Sequence, residues 1–223
     1  MLVFDVNETL IDIDAIAPLF GQLFGDDRVL REWFGQLVTY SMTVTFTEQY
    51  VDFFTIGQGV LRMLANSYGV DVTDADVDRL QSHMRTMPAH PDVEEGLAAL
   101  RNNGFRLATL TNSPHRPGAQ TPLEHAGLAG FFEQQLSVDA CRAFKPSPSV
   151  YRYACEMLDV APGDCMMVAA HVWDLLGAHR VGFSTALITR PGNPPLPIDG
   201  LPQPTFVASD LRQLAEQLSA LPR

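Results

Sequence analysis

The apolar positions of this chain follow two different rhythms. Met1 to Phe4 is a short unbroken apolar run, too short for a helix and consistent with a buried strand. Ile13 to Phe24 carries apolar residues at helical spacing until Gly25-Asp26-Asp27 breaks it, and Asp26 or Asp27 can cap a second helix. That helix is predicted from about Arg28 to Tyr40. A third opens at Thr47, with Glu48 in its first turn, and runs through Tyr50, Phe53, Val60, Leu61 and Leu64 to Gly69. A fourth, capped by Thr73 or Asp74, continues through Val77, Leu80 and Met84, after which Pro88 and Pro91 bracket a linker. Residues 12–88 therefore read as one all-helical block.

From residue 92 onward, strands and helices alternate. Helices are expected at Val93–Asn102, Thr121–Ala126, Ser147–Leu158, Trp173–Val181 and Asp210–Leu218. Strands are expected at Phe105–Leu110, within Phe131–Ser137, and at Cys165–Val168, Thr185–Ile188 and Thr205–Ala208. The Pro/Gly-rich segment Pro191–Pro204 reads as a surface loop. Alternation of this kind specifies an α/β fold with a doubly wound, Rossmann-like parallel sheet. The helical block separates the first strand from its partners. The expected organisation is a core of residues 1–11 and 89–223 with an all-helical cap domain, residues 12–88, inserted after the first strand.

Composition narrows the function classes. The chain has 223 residues, 46% of them hydrophobic, enough for one core and a smaller second domain. No apolar run approaches the ~18 residues of a membrane span. No basic segment precedes an apolar one at the start, and the chain opens almost directly on its first strand, so neither a secretory signal nor another targeting segment is expected. Cys141, Cys155 and Cys165 are odd in number without CxxC spacing, and read as reduced thiols of a cytoplasmic protein. A formal net charge of −11 argues against nucleic-acid binding. It also requires a local positive group wherever an anionic substrate is to bind.

Candidate chemistry lies at the ends of the predicted strands, where an open parallel sheet binds its ligands. Asp5 ends the first strand, and Thr9 follows at a spacing that lets its hydroxyl bond the carboxylate. Such a carboxylate can act as a nucleophile, or simply cap the next element. Thr111-Asn112-Ser113 ends the second, offering hydroxyl and amide groups for an anion or for a turn. Lys145, before Pro146, is either a solvated charge or the cation that keeps Asp5 ionised. Asp174, early in a helix after an apolar strand, suits the helix dipole or a role in the site.

Taken together, these stretches resemble the motifs of the haloacid dehalogenase superfamily. Phe4-Asp5-Val6-Asn7-Glu8-Thr9-Leu10 is similar to the first motif, in which this Asp is the covalent nucleophile. Phosphatases of the superfamily carry a second, proton-donating Asp two residues on. Here that position is Asn7, which cannot exchange a proton, and the resemblance shifts to the L-2-haloacid dehalogenase branch. Leu110-Thr111-Asn112-Ser113 resembles the second motif and Lys145 the lysine of the third. Tyr151 matches a tyrosine of the dehalogenase branch, and Trp173-Asp174 resembles its last acidic motif.

The resemblance implies hydrolysis of short 2-haloalkanoic acids to 2-hydroxyalkanoic acids through an ester on Asp5, with no metal or other cofactor, in a homodimer. Thr111, Lys145 and backbone N–H groups near Val6-Asn7 would hold the substrate carboxylate. Phe34, Phe53 and Trp173 would wall an apolar pocket, and Phe53 and Asn112 match halide-pocket positions. Two positions depart from the pattern. Phe34 stands where dehalogenases carry a halide-receiving arginine, with Arg31 one turn earlier. Ala169 and His171 stand where a Ser and an Asn are usual. His171 reads as a substitute polar group, as a general base sharing water activation with Asp174, or as a helix cap. Cys141 is near enough to Lys145 in sequence for a lowered pKa, with a structural thiol the other reading. His83, His90, His115, His125 and His179 show no metal-ligand spacing. The alternatives are a phosphatase of the same superfamily and a catalytically weak binding protein on this fold.

Overall fold

The computed structural model describes residues 1–116 and 118–221. Pro117, Pro222 and Arg223 of the predicted core range lie outside the described residues. Among the described residues six strands form one parallel sheet: β1 (Leu2–Phe4), β2 (Leu107–Thr111), β3 (Gln134–Ser137), β4 (Met166–Ala169), β5 (Ser184–Ile188) and β6 (Phe206–Ala208). Their order is β3-β2-β1-β4-β5-β6, so β1 is central, with Phe4 beside Thr109 on one side and Val168 on the other. The order reverses between β1 and β4, the switch point at which such sheets bind ligands.

Leu2, Val3, Phe4, Met167, Val168, Ala186, Leu187 and Ile188 are all buried. Continuous apolar strands rather than alternating ones are what a sheet covered on both faces demands. The helical block after β1 holds α1 (Ala17–Phe24), α2 (Val29–Phe46), α3 (Phe53–Tyr68) and α4 (Asp74–Arg85). The core helices are α5 (Val93–Asn102), α6 (Pro122–His125), α7 (Pro148–Leu158), α8 (Val172–Val181) and α9 (Leu211–Ser219). The helical block leaves and rejoins the core at one neck. There Ile11 pairs antiparallel with Ala89, Asp12 N–H donates to Pro88 O (2.8 Å), and His90 N–H donates to Leu10 O (3.0 Å).

One boundary differs from the sequence reading. The helix expected to stop near Tyr40 continues to Phe46, and the one expected to open at Thr47 begins at Phe53. Thr39, Thr43, Thr45 and Thr47 each turn their hydroxyl back onto the carbonyl four residues earlier, which lets a threonine-rich segment stay helical. The start of α3 is fixed by Asp52, whose Oδ1 accepts from the N–H groups of Phe54 (3.0 Å) and Thr55 (3.2 Å). Glu48 sits at φ +57°, outside any helix. Thr73 closes a capping box with Asp76 at α4, whereas the cap expected from Asp26 or Asp27 is not formed: α2 follows Arg28 without a side-chain capping bond.

The cap packs on the core through named contacts. Trp33 donates from Nε1 to Gly57 O (2.9 Å), tying α2 to α3. Phe53 and Tyr50 pack on Phe144, with ring centroids 5.9 and 4.9 Å apart. Phe144 N–H donates to Thr45 Oγ1 (2.8 Å). No described helix is long and apolar enough to cross a membrane.

Candidate active site

β1 carries Asp5 out of the sheet centre, and its N–H still donates to Val168 O (3.0 Å). The carboxylate is therefore held from behind by the ladder and from the front by side chains. Oδ1 accepts from Lys145 Nζ (2.9 Å) and Oδ2 from Thr9 Oγ1 (2.8 Å). The Thr9 hydroxyl in turn accepts from Ala170 N–H (2.9 Å), which links the ends of β1 and β4. Lys145 arrives from the loop after β3, across a cis peptide to Pro146, and is 1% exposed. Its backbone N–H donates to Asn112 Oδ1 (3.1 Å), so the amide predicted for the halide pocket fastens the lysine loop. Lys145 Nζ also donates to Asp174 Oδ2 (2.8 Å), while the Tyr151 hydroxyl donates to Asp174 Oδ1 (2.5 Å).

This packing is close. α8 passes the Lys145-Pro146 loop at Gly177, where a Cβ would lie 2.6 Å from Pro146 O and 2.7 Å from the Tyr151 ring. Burial by itself would raise the Asp5 pKa, but the Lys145 charge and the His171 contacts outweigh it and hold the carboxyl well below its usual range. Burial likewise works against the Lys145 ammonium, and Asp174 and Asp5 lift it above its ordinary value. Asp174 is pushed up, by burial first and by the Asp5 charge.

His171 occupies the residue before α8, yet its side chain makes no capping bond. It stacks on Trp173 (centroids 4.9 Å, 22°) and faces Phe34 (5.8 Å, 30°). Nε2 bonds Glu8 Oε2 (2.6 Å), and Nδ1 lies 3.5 Å from Asp5 Oδ2. That second distance is a charge contact rather than a well-formed hydrogen bond. Burial pulls the imidazole pKa down, but the two carboxylates raise it to about 9. Both carboxylates thus favour the protonated imidazole, and of the three readings of His171 the helix cap is not formed.

Arg31 does not reach Asp5. It ion-pairs with Glu8, and with Asp14 at 2.7 Å. Thr111 has its Oγ1 taken by Ser113 N–H (3.1 Å), and Asn7 Nδ2 donates to Ser113 Oγ (3.1 Å). Val6, Asn7, Thr111 and Ser113 line a solvent-open cleft with Phe54, Met84, Arg85 and Arg116 on its wall, and Asp5 and Lys145 lie behind it rather than on its lining. Phe53 turns instead onto Phe144. Burial, with the Glu156 charge, pushes the Cys141 thiol up rather than down.

Three residues escaped the sequence reading. Glu8 is 3% exposed at φ +63° and joins Arg31 to His171. Arg190 grips Asp92 bidentately (2.6 and 3.0 Å) and donates from Nη2 to Thr9 O (2.9 Å), bracing the nucleophile's loop. Asp92 also accepts from Leu211 N–H (2.9 Å). The one signal that marks Glu8 is an acid held in the left-handed region, and only the folded backbone reveals it.

The chain is 32% identical over 195 residues, covering 86% of it and 84% of the relative, to the (S)-2-haloacid dehalogenase 4A of Burkholderia cepacia. It is 31% identical, over 86% of the chain and 85% of the relative, to the (S)-2-haloacid dehalogenase 1 of Pseudomonas sp. strain CBS-3. Its fold superposes on a crystal structure of an L-2-haloacid dehalogenase with a TM-score of 0.90, at 28% identity and 98% coverage of both chains. The model of haloacid dehalogenase-like hydrolases matches residues 1–182, and the chain belongs to that family.

Proposed function

We propose that the protein is a hydrolytic dehalogenase that converts short 2-haloalkanoic acids to 2-hydroxyalkanoic acids through an ester on Asp5. The observation that carries this reading is the buried Asp5–Lys145–Asp174 line, with Lys145 Nζ 2.9 and 2.8 Å from the two carboxylates. An ionised, immobilised carboxylate at a strand end suits nucleophilic displacement. In the first half-reaction, an Asp5 oxygen forms a bond to C2 of the substrate, and the carbon–halogen bond breaks. Thr111, Lys145 and the N–H groups of Val6 and Asn7 hold the substrate carboxylate. Arg85 and Arg116 give the cleft wall local positive charge against the overall negative field. Phe34 and Trp173, which flank His171 beside Asp5, bound the space for the alkyl group and halide, whereas Phe53 faces Phe144 and Asn112 fastens the lysine loop. In the second half-reaction, water attacks the ester carbonyl carbon, with Asp174 and His171 assisting. A cap domain of residues 12–88, a homodimer and a cytoplasmic location belong to the same reading.

The phosphatase alternative is disfavoured by Asn7, which cannot protonate a leaving group, and by Asp174, whose two oxygens are already held by Lys145 and Tyr151. The test is halide release from fluoro-, chloro- and bromoacetate and both 2-chloropropionate enantiomers. Asp5→Asn is expected to reduce release below ~1% of wild type, as loss of a nucleophile does. A single turnover in ¹⁸O-water is expected to label Asp5. An unlabelled Asp5 would mean that water attacks C2 directly.

A further inference from the structure

The cleft beside the nucleophile's loop is built from chemistry that Asp5 and Lys145 do not use. Its floor is one face of β2 and β3. Alternate residues of a strand share a face, and the pairing sets Thr109 beside Gln135 and Thr111 beside Ser137. All four line the cleft. Three of these side chains are satisfied. Thr111 Oγ1 accepts from Ser113 N–H (3.1 Å), Ser137 Oγ donates to Ser113 O (2.8 Å), and Gln135 Oε1 accepts from Thr121 Oγ1 (3.4 Å). Thr109 is the exception: it is 1% exposed, and no group of the described residues pairs with its hydroxyl. A buried hydroxyl without a partner disfavours the fold, and its presence on the floor of a cleft points to a partner from outside the chain. The walls are apolar, with Phe54 from α3, Met84 from α4 and Leu123 from α6. Arg116 lies over the Phe54 ring (5.4 Å) and 3.5 Å from Asp52. Arg85 is half-buried and forms no ion pair among the described residues. In a chain of net charge −11, a half-buried arginine without a carboxylate of its own marks a place for a foreign anion.

We propose that this cleft is a second ligand site, separate from the nucleophile, and that it takes an aryl carboxylate with a polar atom at the end of the ring away from its acid group. The carboxylate pairs with Arg85, and Arg116 adds its charge. The ring packs against Phe54 and Met84, which suit an aromatic face and a ring edge. The far polar atom meets the Thr109 hydroxyl, which can donate or accept. The two ends of the cleft differ in chemistry, so the ligand enters in one orientation only. The inference goes beyond the dehalogenase reading and does not rest on it. Val6 and Asn7 line the cleft, but neither Asp5 nor Lys145 does. An occupant touches Asn7 and Ser113, whose side chains are joined at 3.1 Å across the turns after β1 and β2. It therefore meets the nucleophile's loop from outside.

The test is titration calorimetry on the full chain as wild type, Thr109→Val and Arg85→Gln, with para-hydroxyphenylacetate, phenylacetate and tyramine. Wild type is expected to bind para-hydroxyphenylacetate roughly 3–10-fold more tightly than phenylacetate, which lacks the ring hydroxyl, as one neutral hydrogen bond contributes. Tyramine carries an ammonium in place of the carboxylate and is expected not to bind. Thr109→Val should erase the preference between the two acids. Its urea midpoint should equal or exceed that of wild type, because the hydroxyl it removes has no partner in the free protein; a hydroxyl kept for the fold would give the opposite. Arg85→Gln should weaken both acids about tenfold or more, as loss of a charge-assisted bond does, and keep their ratio. Binding of neither acid, equal affinity of wild type for the two, or a preference that survives Thr109→Val would overturn the site. So would tyramine binding as tightly as the acids. Affinities indifferent to Arg85→Gln would place the acids against Lys145 and overturn it as well. None of these outcomes bears on halide release, so the site and the dehalogenase reading fail separately.

Discussion

Lys145 and Arg190 are both buried cations, and they differ in what they hold. Lys145 bridges two carboxylates within the site, whereas Arg190 holds the backbone of the nucleophile's loop from behind. Its guanidinium satisfies Asp92 with two parallel bonds and Thr9 O with the rest of the fork, a geometry an ammonium cannot reproduce. Arg190→Met leaves Asp92 ionised and uncompensated. The expected loss is about 3–5 kcal/mol by urea denaturation, as for other buried pairs deprived of one partner. Arg190→Lys recovers only part of it. Both variants should also lose halide release, because Thr9 positions Asp5 through its hydroxyl. This clamp was not legible in the sequence. Arg190 and Asp92 stand 98 residues apart, and Glu8 and His171 stand 163 apart. Asp92 belongs to no motif, Glu8 lies within the first one without a role assigned by it, and charge partners at such separations are set by tertiary packing alone. By contrast Asp5 was legible because it sits where a strand gives way to a turn, and Lys145 and Asp174 through the motifs that their surrounding residues resemble.

At the scale of elements, α8 decides how the site is assembled. It brings Asp174 to Lys145 and presents Gly177 to the loop that carries Lys145. A methyl group at residue 177 would meet the Pro146 carbonyl and the Tyr151 ring at 2.6–2.7 Å, so one of the two elements must move. Gly177→Ala is expected to cost about 1–3 kcal/mol, the range for overpacking. Turnover should fall further than stability does, since the displaced groups are Lys145 and Tyr151. Urea denaturation and halide release, measured on the same preparation, check this. Apolar spacing is a sound guide to where helices exist, as α4, α5 and α7 show. It fails at the α2–α3 boundary because threonines that usually disfavour a helix interior satisfy themselves against the preceding turn. The true stop is written in Asp52, whose capping role competes with several other polar candidates nearby.

For the whole molecule, charge and pH are coupled through buried groups. His171 has a folded pKa raised from 6.5 to about 9, so its stabilisation is fully present below 6.5 and is lost as pH rises through 9. Asp5, Glu8 and Asp92 have lowered values, so theirs is present above the ordinary carboxylate range and is lost in acid. Asp174 runs the other way and disfavours the fold once it ionises. The expected outcome is maximal stability in the mildly acidic range. Unfolding free energy should fall by roughly 1–3 kcal/mol between pH 6 and 9.5. His171→Asn should flatten that alkaline decline, which urea titrations at three pH values would reveal.

The neck between Ile11 and Ala89 has a last consequence. The two crossings are a paired antiparallel bridge, so the excised ends of the helical insert sit about 5 Å apart. That gap matches what a two-residue hairpin turn spans. The insert is therefore a detachable cassette: it can be trimmed to a turn or exchanged for another lid without rethreading the sheet. Lids grafted at this junction would vary which molecules reach the reaction centre, and each must restore the contacts that Arg31 makes with Glu8 and Phe34 with His171.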